Sequence, residues 1–229
     1  RLLQEADVII YDRLVAPGIL AYARREARRI DAGKANGDGG RGQERINRIL
    51  LAEARAGRRV VRLKGGDPLV FGRGGEEKQF LLRHGVRVEV VAGVTAAIGC
   101  AAAAGLPLTH RDHASALTFV TGHGKDGEPA VDWAALARAG HTIAVYMGGT
   151  AAGRIARRLI DGGLDPATAV AVIENGTRPG QRVSTGTLTE LPGLAAASGG
   201  SGPVLLVIGE VVRQADAWGA ERRLQAAAG

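Results

Sequence analysis

The chain has 229 residues, 45% of them hydrophobic and 23% charged, the mix of a globular protein with a buried core and not of a disordered one. No apolar run approaches the roughly 18–20 residues of a membrane span, no signal-peptide pattern leads the chain, and the single cysteine, Cys100, can form no internal disulfide, so a soluble, cytoplasmic protein is expected. Thirty Lys and Arg against 23 Asp and Glu leave +7, which favours an anionic partner, while aromatics at 3% are too few for the stacking platforms of single-stranded nucleic-acid binders.

Residues 1–6 read as the tail of a helix that runs into a strand at Val8–Tyr11, an opening expected to follow something upstream. Ile46, Ile49, Leu50 and Ala54 recur at helical spacing, and Gly57 marks the stop. Val60–Leu63 is a predicted strand that leads into the Gly-rich Lys64-Gly65-Gly66-Asp67-Pro68. The pattern then predicts a short helix at 75–83, a strand at 86–91 and a small-residue helix at 95–104, broken by Gly105-Leu106-Pro107-Leu108. The second half predicts strands at 116–121, Thr142–Tyr146, 169–173 and Val204–Ile208, with helices at 133–139 and 152–160. Strands alternating with helices define an α/β class with largely parallel sheets. The Pro-marked stretch 106–113 is the expected linker, dividing the chain into domains 1–112 and 113–229. Low complexity is confined to 195–202, and there is no internal repeat.

Two segments match G-x-G-x-x-G, Gly37 to Gly42 and Gly122 to Gly127. A dinucleotide site needs that loop to pass from a strand directly into a helix. The first follows Ile30-Asp31-Ala32-Gly33, poor strand material, and the second is separated from its helix by Glu128-Pro129-Ala130-Val131, so both read as ordinary loops. The run from Lys64 to Glu77 is of another kind. It follows a strand, holds five glycines and three acids in fourteen residues, and alternates in charge, all suited to close backbone approach to a ligand at a strand's carboxyl end. It is not a phosphate-binding Walker loop, because no Gly-Lys-Ser or Gly-Lys-Thr follows. Arg24-Arg25, Arg28-Arg29, Arg157-Arg158 and Arg222-Arg223 read as solvated faces. Cys100, in an Ala-rich helix, reads as a small core residue rather than a nucleophile.

The run from Val60 to Glu77 closely resembles the uroporphyrinogen-III C-methyltransferases of the tetrapyrrole methylase family. So do Tyr11-Asp12-Arg13-Leu14-Val15, Gly33-Lys34, Gly105 to Asp112, Val120-Thr121-Gly122-His123, Tyr146-Met147-Gly148, Glu174-Asn175-Gly176-Thr177 and Gln181-Arg182-Val183, in the expected order. The resemblance covers essentially the whole chain. It implies two α/β domains with an active-site cleft between them, a homodimer, and transfer of two methyl groups from S-adenosylmethionine to carbons 2 and 7 of uroporphyrinogen III, giving precorrin-2 by way of precorrin-1. That product is the branch point towards sirohaem, cobalamin and haem d1.

The same resemblance assigns residues. Asp12 matches the family's proton acceptor and Lys34 its proton donor, a carboxylate and an ammonium suited to general base and acid work; Asp12 reads equally as a turn residue after its strand. Cofactor contacts fall on Gly65, Gly66, Asp67, Val70, Thr95, Ala96, Met147 and Gly176, with Met147 either an apolar wall or plain core packing. The substrate's carboxylates suit Arg13 and Arg111, which otherwise would form structural ion pairs with Asp12 or Asp112. His110 and His123 lack a zinc-partner pattern, and no metal is expected.

Three departures stand out. The family's first strand and its Gly-rich loop should precede Arg1, and without an internal strand a sheet edge and apolar surface are expected to be open. Gly39-Gly40-Arg41-Gly42-Gln43 replaces a His-Ser-x-Pro-Gln segment, keeping only Gln43, and Ala92-Gly93 replaces Pro-Gly. Two rival readings are a methyltransferase for a later corrin intermediate and a non-catalytic basic domain that binds nucleic acid with strong salt dependence. The favoured reading includes no nucleic acid and no membrane.

Overall fold

Three apolar residues in a row, Val8-Ile9-Ile10, make the central strand of the first of two units. The computed structural model describes residues 1–33, 39–124, 127–199 and 202–215. It divides into Arg1–Thr95 and Ala96–Gly229. In the first unit the helical turn α1 (Leu2–Glu5) leads to β1 (Val8–Tyr11), followed by the turn α2 (Pro17–Leu20) and β2 (Arg28–Asp31). Helix α3 (Gly39–Arg55), β3 (Val60–Leu63) and helix α4 (Gly74–Arg83) complete it. The three strands form a parallel sheet in the order β2-β1-β3. Val8, Ile9 and Ile10 are sealed from solvent on both faces, as a central parallel strand requires. Val8 and Ile10 pack with Ile46 and Leu50 of α3 and Leu81 of α4, while Ile9 packs with Ala6, Ala23 and Ala27.

Two sequence expectations fail here. The residues read as poor strand material belong in part to β2, whose Arg28, Arg29 and Asp31 are exposed. Its ladder to β1 holds it in place, with the half-buried Ile30 its one side chain packed on the core. Conversely, 86–91 alternates like a strand but joins no ladder. A cavity of about 1080 Å³ separates it from β3, lined by β3, by 86–93 and by Arg1, Leu2 and Leu3. β3 pairs with β1 alone and, among the described residues, with no strand on its other side.

The second unit holds α5 (Ala96–Ala104), β4 (Leu117–Thr121), α6 (Trp133–Arg138), β5 (Thr142–Tyr146), α7 (Ala152–Asp161), β6 (Ala169–Glu174), β7 (Arg182–Thr187), α8 (Leu191–Ala197) and β8 (Val204–Ile208). Its sheet runs β4-β5-β8-β6-β7; only β4 and β5 pair in parallel, and the other three ladders are antiparallel. The expectation of largely parallel sheets is therefore corrected for this unit. A strand returning directly beside its predecessor, as β7 does beside β6, needs only a short connection and no crossover helix.

Alternation sorts the strand residues onto two faces. Ile143, Val145, Val170, Val172, Leu206 and Ile208 meet α6, α7 and α8; Ala144, Ala171, Ile173, Leu205 and Val207 meet α5 through Ala97, Cys100 and Ala101. Helix α7 shows why such a segment folds. Ala152, Ile155, Ala156 and Leu159 form a buried stripe at helical spacing, with Arg154, Arg157 and Arg158 on the exposed side, as the sequence suggested for the last two. Arg222 and Arg223 lie outside the described residues, and so do parts of both G-x-G-x-x-G segments. The stretch 106–113 and α5 both fall within the second unit, where Leu106 is buried in the core on the α5 side.

Candidate active site

In the first sheet Tyr11 stands opposite Asp31 and Leu63, so Asp12, Ala32-Gly33 and Lys64-Gly65 leave the sheet side by side. Ligands of open α/β sheets bind at this carboxyl edge. The Gly33 N–H donates to Asp31 Oδ1 at 2.7 Å, and a Cβ on Gly33 would come within 3.4 Å of the Arg13 Cβ. Arg13 itself is exposed. Lys34, the expected proton donor, follows Gly33 and lies outside the described residues.

Asp12 serves two roles at once. Its Oδ1 accepts the Leu14 N–H at 3.2 Å, which makes it the turn residue of the alternative reading. Its Oδ2 lies 3.6 Å from the Arg62 guanidinium and 4.0 Å from Lys64 Nζ. Behind these cations Glu77 closes the cluster, with Arg62 Nε at 3.3 Å, Lys64 Nζ at 3.5 Å and the Gln43 side-chain amide donating at 2.9 Å. Burial, with Arg62 adding to it, pushes the Lys64 ammonium below the usual lysine range; Glu77 and Asp12 oppose the shift.

The loop after β3 is folded onto itself. Gly66 has φ +77°, and a Cβ on Gly93 would collide with the Gly66 carbonyl. A Cβ on Gly72 would stand 2.8 Å from the Pro68 carbonyl oxygen, and Gly74 is tighter still against it. The Asp67 carboxylate fixes the loop, its Oδ2 accepting the Gly93 N–H at 3.0 Å and its Oδ1 the Leu69 N–H at 2.8 Å. What this loop offers a ligand is therefore chiefly the exposed backbone of Gly65 and Gly66, beside the half-buried Val70. Arg73, with φ +57°, forks onto Glu76 through Nε at 2.9 Å and a terminal nitrogen at 2.7 Å.

The Gly93 N–H, followed by those of Leu69 and Val70, holds the Asp67 carboxyl below the usual carboxylate range. A carboxyl whose pKa drops on folding stabilises the protein above its unfolded value of about 3.9, and the contribution fades as pH falls through the folded value. Asp67→Asn is therefore expected to lower the urea midpoint at pH 7, with the gap from the parent closing below about pH 4. A gap independent of pH would contradict this origin.

In the second unit, β4, β5 and β6 point the same way, which brings Gly122, Met147 and Gly176 to one edge. A Cβ on Gly122 would stand 2.7 Å from Gly148 Cα, so the loops after β4 and β5 touch. Met147 (φ +54°), Asn175 (φ +51°) and Thr177 (φ +65°) adopt the left-handed backbone here, three of the five such non-glycine residues described. Strain of this kind persists where surrounding structure over-determines it, and it clusters at ligand sites. Met147 is 51% exposed, which corrects the core-packing alternative. Thr95 is buried and Ala96 half-buried at the start of α5, where the Ala97 N–H donates to Tyr146 Oη at 2.9 Å.

Arg111 is exposed, and the Asp112 carboxylate lies 3.8 Å from His110 Nδ1 instead. Burial pushes the Cys100 thiol up, consistent with a packing residue. Among the described residues no His, Cys, Asp and Glu group is placed to hold a metal ion, and no helix is long and apolar enough to cross a membrane. Several basic residues are matched by acids, Arg24 by Asp7, Arg28 and Arg58 by the buried Glu53, and Arg158 by Glu128. Arg62 and Glu77 were given no role from sequence, and Gln43 was noted only as the residue kept from the altered segment; a further signal was the charge of Arg62 inside the otherwise apolar Val60–Leu63.

Glycine-bearing loops at carboxyl strand ends, with a carboxylate set among buried cations, define an α/β protein of the small-molecule-binding class. The description Tetrapyrrole (Corrin/Porphyrin) Methylases matches residues 1–192, and the chain belongs to that family. The siroheme synthase of Azotobacter vinelandii is 53% identical over 220 residues, 95% of this chain and 47% of the relative. That of Chromobacterium violaceum is 50% identical over 216 residues. The chain thus spans about half the length of these curated relatives. Among solved structures, the uroporphyrin-III C-methyl transferase of Thermus thermophilus complexed with S-adenyl homocysteine is 44% identical with a TM-score of 0.77, covering 93% of this chain and 90% of the other. A cobalt precorrin-4 methyltransferase aligns at TM-score 0.80 with 28% identity, covering 92% and 87%.

Proposed function

We propose that the chain is an S-adenosylmethionine-dependent C-methyltransferase that converts uroporphyrinogen III, through precorrin-1, into precorrin-2 by methylation at carbons 2 and 7. The observation that carries this reading is the meeting of Asp12, Lys64 and the Gly65–Gly66 backbone at the carboxyl edge of the first sheet.

The residues present suit the methyl donor: an exposed glycine backbone whose carbonyls favour a cation, and an exposed thioether side chain at Met147 for an adenosyl group. Gly65, Gly66, Asp67, Val70, Thr95, Ala96, Met147 and Gly176 would hold it. S-adenosylmethionine, when bound, supplies an electrophilic methyl group on a sulfonium. Arg13 and Arg111 take the substrate's carboxylates and orient the macrocycle, so that positioning supplies much of the acceleration. Asp12 takes the proton that the methylated pyrrole must release, and Lys34 returns one elsewhere. The protein acts as a cytoplasmic homodimer.

The test is anaerobic incubation with labelled S-adenosylmethionine and uroporphyrinogen III, following label into the tetrapyrrole. Two methyl groups per macrocycle are expected. A later corrin intermediate as the preferred acceptor would replace this reading with the one suggested by the 28%-identical structural relative, and no transfer to any tetrapyrrole would overturn it.

A further inference from the structure

Glu77 sits in the first turn of α4 with its side chain only 5% exposed, and three donors surround its two oxygens. Oε1 faces the Gln43 amide at 2.9 Å and Lys64 Nζ at 3.5 Å, while Oε2 faces Arg62 Nε at 3.3 Å. Both cations are themselves sheltered, Lys64 at 9% and Arg62 at 13%, and each touches Asp12 Oδ2 as well as Glu77. Arg62 is further anchored through Nη1, which donates to the carbonyls of Leu63 at 3.0 Å and Ile10 at 3.3 Å. Two cations are thus matched by two carboxylates. Glu77 is fixed by helix and amide; Asp12, 23% exposed, is the member that reaches the carboxyl edge.

Buried charges demand partners, and removing one member of such a set forces the rest to compensate. Without Glu77, Asp12 alone would face Arg62 and Lys64. It would be drawn into pairing with both and would lose its capacity to accept a proton from a ligand. We propose that Glu77 is a positioning residue for the reaction, neutralising Arg62 and Lys64 so that the Asp12 carboxylate stays available as the proton acceptor. The proposal rests on the functional reading above, and it accounts for Gln43, the residue retained from an otherwise altered segment, as the brace of Glu77.

The test compares the parent protein with Glu77→Gln and with the charge-balanced Arg62→Gln/Glu77→Gln. Glu77→Gln is expected to lower kcat by about 10²-fold while KM for S-adenosylmethionine stays within about threefold, the signature of a misplaced reacting group. The double variant, which leaves Asp12 one cation, is expected to recover at least about tenfold of that loss. Glu77→Gln turning over like an active parent overturns the proposal. So does a folded double variant that binds S-adenosylmethionine yet remains as slow as, or slower than, Glu77→Gln. Should Glu77→Gln fail to fold, a double variant within about tenfold of the parent supports the proposal and a slower one overturns it. A parent that transfers no methyl group overturns the functional reading, and this proposal with it.

Discussion

Replacing Asp12 by asparagine is expected to cut methyl transfer by about 10²- to 10⁴-fold, the usual contribution of a positioned general base, while leaving S-adenosylmethionine binding nearly intact. Asparagine can still accept the Leu14 N–H through Oδ1, so the turn after β1 is preserved and the two roles of Asp12 separate cleanly. What asparagine removes is the charge beside Arg62 and Lys64 and the ability to take a proton. A purely structural Asp12 would show itself as a lowered unfolding midpoint with near-normal turnover. Calorimetric titration of S-adenosylmethionine alongside single-turnover label transfer distinguishes the two outcomes.

Gly176→Ala is expected to cost about 1–3 kcal/mol of stability, the range of overpacking substitutions, and to weaken S-adenosylmethionine binding through the displaced loop. A Cβ there would run into Cys100 Sγ and would stand 2.9 Å from the Cys100 Cβ. The loop has little freedom to retreat, because Asn175 and Thr177 on either side are both held at positive φ. Cys100→Ala removes the sulfur and should restore part of the loss in the double variant, although the Cβ contact persists. Urea unfolding of the four proteins of this cycle gives the coupling directly. Strictly additive costs would mean that the helix–loop contact is not what requires glycine.

Legibility in the sequence followed burial. Val8–Tyr11, Thr142–Tyr146 and Val204–Ile208 are apolar runs and fold as strands. Arg28–Asp31 and Arg182–Thr187 are strands through their ladders, with much of their side-chain surface in solvent, so composition could not mark them. The reverse held for 86–91, whose alternating Val residues looked like a strand but join no ladder among the described residues. At the site, glycines and alternating charge drew attention to 64–77, yet Asp12 and Lys34 came only from likeness to a family. Glu77 was hidden for a topological reason: Gln43, 34 residues away in sequence, reaches it only when α3 and α4 cover the same sheet face.

Arg62 is the one charge in Val60–Leu63, and its guanidinium turns inward to Glu77, Asp12 and the carbonyls of Ile10 and Leu63. A single side chain thus fastens the end of β1, the strand β3 and the helix α4 to one another. Whatever disturbs it is felt at the edge where Asp12 stands, and not only in the strand that carries it.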